Sequence, residues 1–393
     1  MHTTTRIIAM AVLLCAVSFT AGAEPDTWRK IALDKTHIAC LVSDPARAST
    51  LYAASSLGLL KSLDQGKTWN ALGGDALPRD FIPSAVAINP HNSRELYVSY
   101  DGLGLFKSID GGQTWLSMNQ GLPNLYVRCI TISRKDPNLI YLGIQGGVAI
   151  STNGGKFWHM SSGFRRMLNV NNIAVDPKNP EFLFAGTGGA GVFKSGNGGV
   201  SWRDFNEGLS SLSITALHID PEDPDIVLVG ASHPATPTDV YVGDAGGGVY
   251  RSVDGGRSWQ ESSLLNIHIF SLAADPIRPN VLYAGAWGGM YRSVDKGQSW
   301  TDINAGLDNA FPHAIHVLPG AAPPILFAGT TFGLLMYTDA ALADALKQVD
   351  DGSTTMLIAS GLGIAAASAC LLVFARLRRR GKRDAQDSRQ PIW

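Results

Sequence analysis

An eight-residue pattern recurs six times along this chain and constrains its fold more than any other feature. Each copy begins with serine, has aspartate or asparagine at the third position and glycine at the fifth, and ends with tryptophan. The copies are 62–69, 108–115, 151–158, 195–202, 252–259 and 293–300. Successive tryptophans lie 46, 43, 44, 57 and 41 residues apart. This period predicts one four-stranded blade of a β-propeller per repeat.

The pattern has a local chemical explanation. The side-chain oxygen at the third position can accept hydrogen bonds from turn N–H groups, and glycine two residues later tolerates a positive φ. Asparagine in two copies keeps the acceptor but loses the charge, so we predict turn-forming residues and no metal site. The predicted structural residues are Asp64, Trp69, Asp110, Trp115, Asn153, Trp158, Asn197, Trp202, Asp254, Trp259, Asp295 and Trp300.

The consensus S-x-[DN]-x-G-x-[STF]-W resembles the Asp-box (BNR) repeat. That family includes sialidases and xyloglucan-cleaving glycosidases, and also photosystem II assembly factors and the sortilin propeller, which bind proteins. The resemblance covers residues 26–339 and implies an all-β, seven-bladed propeller. Since the family contains enzymes and binding proteins, it does not by itself decide the function.

The two ends of the repeat region complement each other. The seventh repeat stops at residue 339 without a glycine or a tryptophan, while Trp28 near the start has the strand but no preceding turn. We therefore expect residues 27–31 to supply the outer strand of the last blade, which would remove two unpaired sheet edges. The long spacing of 57 residues reflects a predicted loop at 232–242, between the second and third strands of blade five.

Two cysteines fall in the repeat region. Cys40 and Cys129 occupy equivalent places two blades apart, so we expect small buried residues and no disulfide between them.

The segments outside the repeats predict a membrane-tethered protein. Residues 1–23 resemble a signal peptide, 340–353 a stalk, 355–375 a transmembrane helix, and 376–393 a basic tail. The positive-inside rule then places the tail in the cytoplasm and the propeller outside it, in a periplasmic or extracellular location. Residues 24–353 carry 24 Lys+Arg against 31 Asp+Glu, a net charge that argues against nucleic-acid binding.

The predicted ligand-binding face is the loop rim. We define it as the end of the ring that carries the loops leading into each blade and the turns joining its second and third strands. No cofactor is expected. The binding candidates are the aromatic and charged residues of this rim, namely Arg79, Phe81, Tyr100, Asp101, Arg128, Trp287, His313 and Phe332.

The same rim does not contain a recognisable catalytic set. A sialidase-like site needs a Tyr–Glu pair, but no glutamate falls on this rim, and Phe81-Ile82-Pro83 lacks the arginine of the F/Y-R-I-P motif. Asp80 and Asp101 could still form a glycosidase pair with Asp239 or Asp244. The sequence therefore favours a non-catalytic module that binds a protein or glycan, with a sialidase-like or xyloglucanase-like glycoside hydrolase as the alternative. A purely structural envelope protein also stays open.

Overall fold

The computed structural model describes residues 26–165, 167–232, 247–308 and 310–342. Its 28 strands form seven four-stranded antiparallel sheets, so the prediction of an all-β, seven-bladed propeller is confirmed. The first strands of neighbouring blades contact each other around the whole ring, including blade seven against blade one.

Each blade places its strands in sequence order from the axis outward, and the last blade alone borrows its outer strand from the start of the chain. A short 3₁₀ helix, Gly74–Ala76, lies between blades one and two. The strands are β1 (Arg29–Ala32); β2 (Ile38–Asp44), β3 (Arg47–Ser55), β4 (Gly58–Ser62), β5 (Asn70–Ala71); β6 (Pro83–Asn89), β7 (Asn92–Tyr100), β8 (Gly104–Ser108), β9 (Leu116–Ser117); β10 (Val127–Ile132), β11 (Ile140–Ile144), β12 (Gly147–Ser151), β13 (His159–Met160); β14 (Val170–Val175), β15 (Leu183–Thr187), β16 (Val192–Ser195), β17 (Arg203–Asp204); β18 (Ile214–Ile219), β19 (Val227–Ala231), β20 (Gly248–Ser252), β21 (Gln260–Leu265); β22 (Ile269–Ala274), β23 (Leu282–Ala286), β24 (Gly289–Ser293), β25 (Thr301–Asp302); β26 (Pro312–Val317), β27 (Ile325–Thr330) and β28 (Gly333–Thr338).

The ring closes through β1, which pairs antiparallel with β28. Arg29 lies opposite Met336 and Lys30 opposite Leu335. The first and last strands of the propeller therefore share one sheet, and blade seven has the same four strands as the others.

The six eight-residue turns share one hydrogen-bond pattern. In the first, Ser62 Oγ donates to Asp64 Oδ1 at 2.8 Å and accepts the Gly66 N–H at 2.8 Å, while Asp64 Oδ1 accepts the Thr68 N–H at 2.9 Å. The serine thus links both halves of the turn, a role that the sequence reasoning had not given it. Trp69 lies one residue before β5, so the tryptophan closes the turn.

The hydrophobic core lies between neighbouring blades. Tyr97 and Leu105 of blade two, for example, pack against Leu142 and Trp158 of blade three, all four with 1% exposure or less. Burying such large side chains between sheets is the dominant stabilising contribution in a propeller.

Side chains near the axis also connect the blades. Ser84 Oγ donates to the Val127 carbonyl at 2.7 Å, Thr131 Oγ1 to that of Ile173 at 2.8 Å, and Ser271 Oγ to that of Pro312 at 3.0 Å.

Cys40 and Cys129, both half-buried and free, occupy the same region near the axis. Burial raises the pKa of the Cys129 thiol to about 12, so this thiol is neutral at physiological pH.

Several predictions fall on residues outside the described ranges. The signal peptide (1–23), the transmembrane helix (355–375), the basic tail (376–393) and most of the loop at 232–242 are among them. Within 26–165, 167–232, 247–308 and 310–342, no helix has the length and apolar character needed to cross a bilayer.

Candidate functional site at the channel mouth

The seven first strands surround a central cavity of about 650 Å³ that lies toward the loop rim. Each of these strands breaks its pairing register at the same point, where one residue is left without a partner. Such a bulge turns the side chain of the extra residue away from the direction that regular alternation would give it. All seven bulge residues line the cavity: Ala39, Ser84, Arg128, Asn171, Thr215, Phe270 and His313.

One side of the mouth is a continuous set of aromatic and imidazole rings, which we call the aromatic wall. Phe270 is at its centre, with ring centroids 4.4 Å from His268 and 4.6 Å from His313. Trp287 and Phe311 extend the wall outward, with their rings 4.8 Å apart. His37 completes it at 5.0 Å from His313. Blades six, seven and one all contribute.

The imidazoles of the aromatic wall are uncharged at neutral pH. Burial lowers the pKa of His37 and of His268. Burial, followed by repulsion from these two neighbours, lowers the pKa of His313 to about 4. In the part of the chain that the structure describes, no cluster of three or more His, Cys, Asp or Glu side chains could hold a metal ion.

An ion pair lies across the ring from this wall, on blades two and three. Arg128 Nη2 lies 3.3 Å from Asp101 Oδ2, and both side chains are about two-fifths exposed. A half-exposed pair of this kind contributes little to stability. Arg128 can therefore exchange Asp101 for a ligand at small cost.

Of the eight predicted binding residues, Arg128 and His313 line the cavity. Asp101 reaches the mouth through its ion pair with Arg128, and Trp287 through its ring contacts with Phe270 and Phe311. Arg79 lies elsewhere on the rim and pairs with Asp75 at 2.5 Å. Phe81 and Phe332 are about half exposed and do not line the cavity.

Tyr100 does not belong to the binding surface. It is 1% exposed and packs edge-on against Phe106, with ring centroids 5.8 Å apart. As the last residue of β7 it faces the core, so placing it on the rim was wrong.

Sequence reasoning missed Ser84, Thr215 and Phe270 as cavity residues because it assigned them to regular strands. The available signal was their position, one residue before the small residue that each first strand places near the axis, as Phe270 precedes Ser271. Among the other candidates, Asp239 and Asp244 lie outside the described residues.

Comparison with known proteins defines the fold. No protein-family model matches the chain, and no curated protein matches it. Among solved structures, an ancestral GH74 enzyme is similar with a TM-score of 0.63 and 19% identity, over 80% of this chain and 48% of that one. YCF48 bound to D1 peptide is similar with a TM-score of 0.60 and 19% identity, over 81% of this chain and 98% of that one.

A third similar structure is the extracellular domain of a protein from B. thetaiotaomicron described as a one-component system. Its TM-score is 0.60 at 15% identity, over 79% of this chain and 39% of that one. The chain thus spans about half the length of the GH74 enzyme and nearly all of YCF48. At these identities the similarity establishes a shared propeller fold.

Proposed function

We propose that the protein is a non-catalytic binding or assembly module. It is an Asp-box propeller, tethered to a membrane by its C-terminal span, that presents its loop rim to an extracytoplasmic protein or glycan. One observation carries this proposal. The channel mouth joins an aromatic wall to an exchangeable arginine, while the described residues lining the cavity include no carboxylate.

The aromatic wall has the chemistry of a binding surface. Trp287 is 46% exposed although it packs against Phe311. Exposed aromatic rings in contact with one another form a rigid apolar face that loses little conformational entropy on binding. Such a face fits a sugar ring or an apolar peptide side chain, and Arg128 adds a donor for a carboxylate or carbonyl group.

Two further observations support a binding module of the Asp-box type. In each repeated turn the serine hydroxyl donates to the side-chain oxygen of the aspartate or asparagine two residues later, from Ser62–Asp64 to Ser293–Asp295. The fold match also covers 98% of YCF48, whose structure was solved bound to D1 peptide. This coverage is consistent with a propeller that acts alone on a protein partner.

A glycoside hydrolase is the second candidate, and the position of Asp101 at the mouth together with the GH74 fold similarity favours it. Glycosidases use two carboxyl groups about 5 to 9.5 Å apart. Asp101 is instead paired with Arg128, and the described cavity lining offers it no second carboxylate. This arrangement suits recognition better than hydrolysis.

The test is a ligand screen with matched variants of the full chain in detergent. The purified protein is applied to a glycan array and to a solubilised membrane extract, and a panel of glycosidase substrates is assayed in parallel. The mouth variant combines Arg128→Ala with Trp287→Ala. The control combines Arg79→Ala with Phe332→Ala, which also removes one arginine and one aromatic residue from the loop rim.

We expect the mouth variant to lose the ligand and the control to retain it, with equal thermal stability. Loss of the ligand in the control variant alone would show that the binding site lies away from the channel mouth. Glycan turnover that disappears in Asp101→Asn would overturn the binding proposal and establish the enzyme.

A further inference from the structure

A second cavity, of about 290 Å³, lies at the other end of the first strands. Its lining comes from blades three, four and five, each of which contributes the end of its first strand and the start of the turn to its second strand. We call this end of the ring the turn rim. It is opposite the aromatic wall, and nothing in the proposed function uses it.

The turns at this rim share one pattern in five blades, and blades three and seven depart from it; blade seven has Leu318-Pro319. In five blades the first strand ends at or just before an aspartate or asparagine, proline comes next, and the side-chain oxygen accepts a backbone N–H from two residues later. Blade three has Ser133-Arg134 instead. Ser133 Oγ accepts the Asp136 N–H at 3.3 Å, so the turn keeps a side-chain acceptor without its negative charge.

The substitution also adds positive charge to the cavity. Arg134 and Lys135 line it, are exposed, and their side chains have no ion-pair or hydrogen-bond partner among the described residues. The carboxylate in the lining is that of Asp176, whose Oδ1 accepts the N–H groups of Lys178 and Asn179. The formal charge of the lining is therefore positive, with two cations against one anion.

His218 is the second departure from the repeat in this cavity. Blades one to four and blade six have Val, Ala, Thr, Ala and Ala at the equivalent position. The Nε2 of His218 is buried and has no hydrogen-bond partner within the described part of the chain. Burial lowers its pKa to about 4 against the opposing effect of Asp220, so the ring is neutral and carries one N–H.

We propose that this cavity binds a small oxyanion, that is, a carboxylate, phosphate or sulfate group. Oxygen atoms of the ligand accept hydrogen bonds from Arg134 and Lys135 at the opening and from His218 Nε2–H deeper inside. The ligand satisfies a buried polar atom that otherwise lacks a partner, and its negative charge offsets the positive lining. The departures from the repeat at Ser133, Arg134 and His218 then have a common explanation.

The test measures anion binding by the full chain in detergent at constant ionic strength, with chloride as the balancing salt. Sulfate, inorganic phosphate and acetate are titrated separately, by calorimetry and by thermal unfolding. These arms distinguish a phosphate-type or sulfate-type site from a carboxylate site. We expect saturable binding of at least one of them, together with a saturable rise in unfolding temperature.

Three variants and one control locate the site. Arg134→Gln and His218→Gln should each weaken binding at least tenfold. Ser133→Asp introduces the aspartate found at this position in four other blades and places a carboxylate beside Arg134, so it should abolish binding while the fold is kept. His316→Gln is the control, because His316 occupies the equivalent position in blade seven, has a buried unpartnered Nε2 as well, and does not line this cavity.

Binding that survives in Ser133→Asp, or that is lost equally in His316→Gln, would overturn the proposal. Absence of saturable binding for all three anions would do the same, leaving His218 hydrogen-bonded to water. Neither result depends on the ligand of the loop rim, so failure here is distinguishable from failure of the proposed function.

Discussion

The indole Nε1–H of Trp28 donates a hydrogen bond of 2.7 Å to the carbonyl oxygen of Ile303, across 275 residues of chain. The same indole is 2% exposed and stacks on Tyr337 with ring centroids 5.0 Å apart. The backbone N–H of Trp28 also bonds to the Ala305 carbonyl at 2.7 Å. The N-terminal strand is thus attached to blade six as well as to blade seven, in which it is the outer strand.

Removal of this strand should destabilise the whole ring. We expect a chain that lacks residues 24–33 to unfold at a much lower temperature, because β28 is left with an open edge and the Trp28 site is empty. Trp28→Phe keeps an aromatic ring against Tyr337 but loses the indole donor and leaves a void where the larger ring was, so it should cost about 2–3 kcal/mol. Calorimetric melting checks both, and a truncated chain that melts like the intact one contradicts this account of closure.

Asp339 has a comparable role at the end of the propeller. It is fully buried and accepts hydrogen bonds from Arg292, from the Tyr283 hydroxyl at 3.0 Å and from the Leu342 N–H at 3.0 Å. Asp339→Ala leaves the Arg292 charge without a counterion, which should cost about 3–5 kcal/mol.

Urea denaturation measures the cost of this change. Asp75→Ala is the control, because it breaks the ion pair with Arg79 in which Asp75 is 96% exposed, and we expect no measurable change. Equal effects of the two substitutions would show that burial of Asp339 does not matter.

The fold was predictable because its signals are local and repeated. Each blade carries its own turn and its own tryptophan, so the repeat is still recognisable when one copy departs from the pattern. The channel mouth was only partly predictable. Arg128 and His313 stand out as charged or aromatic residues in any alignment of the repeats, whereas the contribution of Phe270 depends on a bulge.

A bulge arises from pairing between two strands that curve around an axis, and the sequence of one strand does not show it. Tyr100 illustrates the same difficulty in the other direction. Its place near the turn between the second and third strands suggested exposure, but the side chain packs against Phe106 and is buried. Residue type and loop position therefore identify candidates, while the site itself depends on contacts between blades.

The aspartates of the eight-residue turns should make the protein sensitive to acid. Partial burial raises the pKa of Asp64, but hydrogen bonds from Thr68 and Ser62 outweigh this effect and lower it to about 2. At Asp254 burial also raises the pKa, but hydrogen bonds, mainly from Ser258, outweigh it and lower the pKa to about 2. The ordinary value of 3.8 applies to the unfolded chain.

Because the folded-state pKa is the lower one, these groups stabilise the fold above about pH 4, and that contribution disappears as pH falls through 2. Asp64→Asn with Asp254→Asn should flatten the dependence of unfolding free energy on pH in this window. Near neutral pH the loss should be small, because Asn153 accepts the same type of bond, from the Phe157 N–H at 3.0 Å. Denaturation at a series of pH values measures this dependence. If the slope of unfolding free energy against pH is the same in the double variant, the two aspartates are not the source of the acid sensitivity.

The membrane orientation is open to a direct test. The uncharged run in 355–375 is followed by six cations within 376–383, and cations next to a span favour the cytoplasmic side. With the full chain expressed in bacteria, protease added to spheroplasts should degrade the propeller and leave the segment after 376 protected. A second chain that ends at residue 353 should be released from the membrane, which separates tethering by the span from adhesion of the propeller. Protection of the propeller in intact spheroplasts would reverse the orientation, and membrane retention of the shortened chain would mean that the span is not the tether.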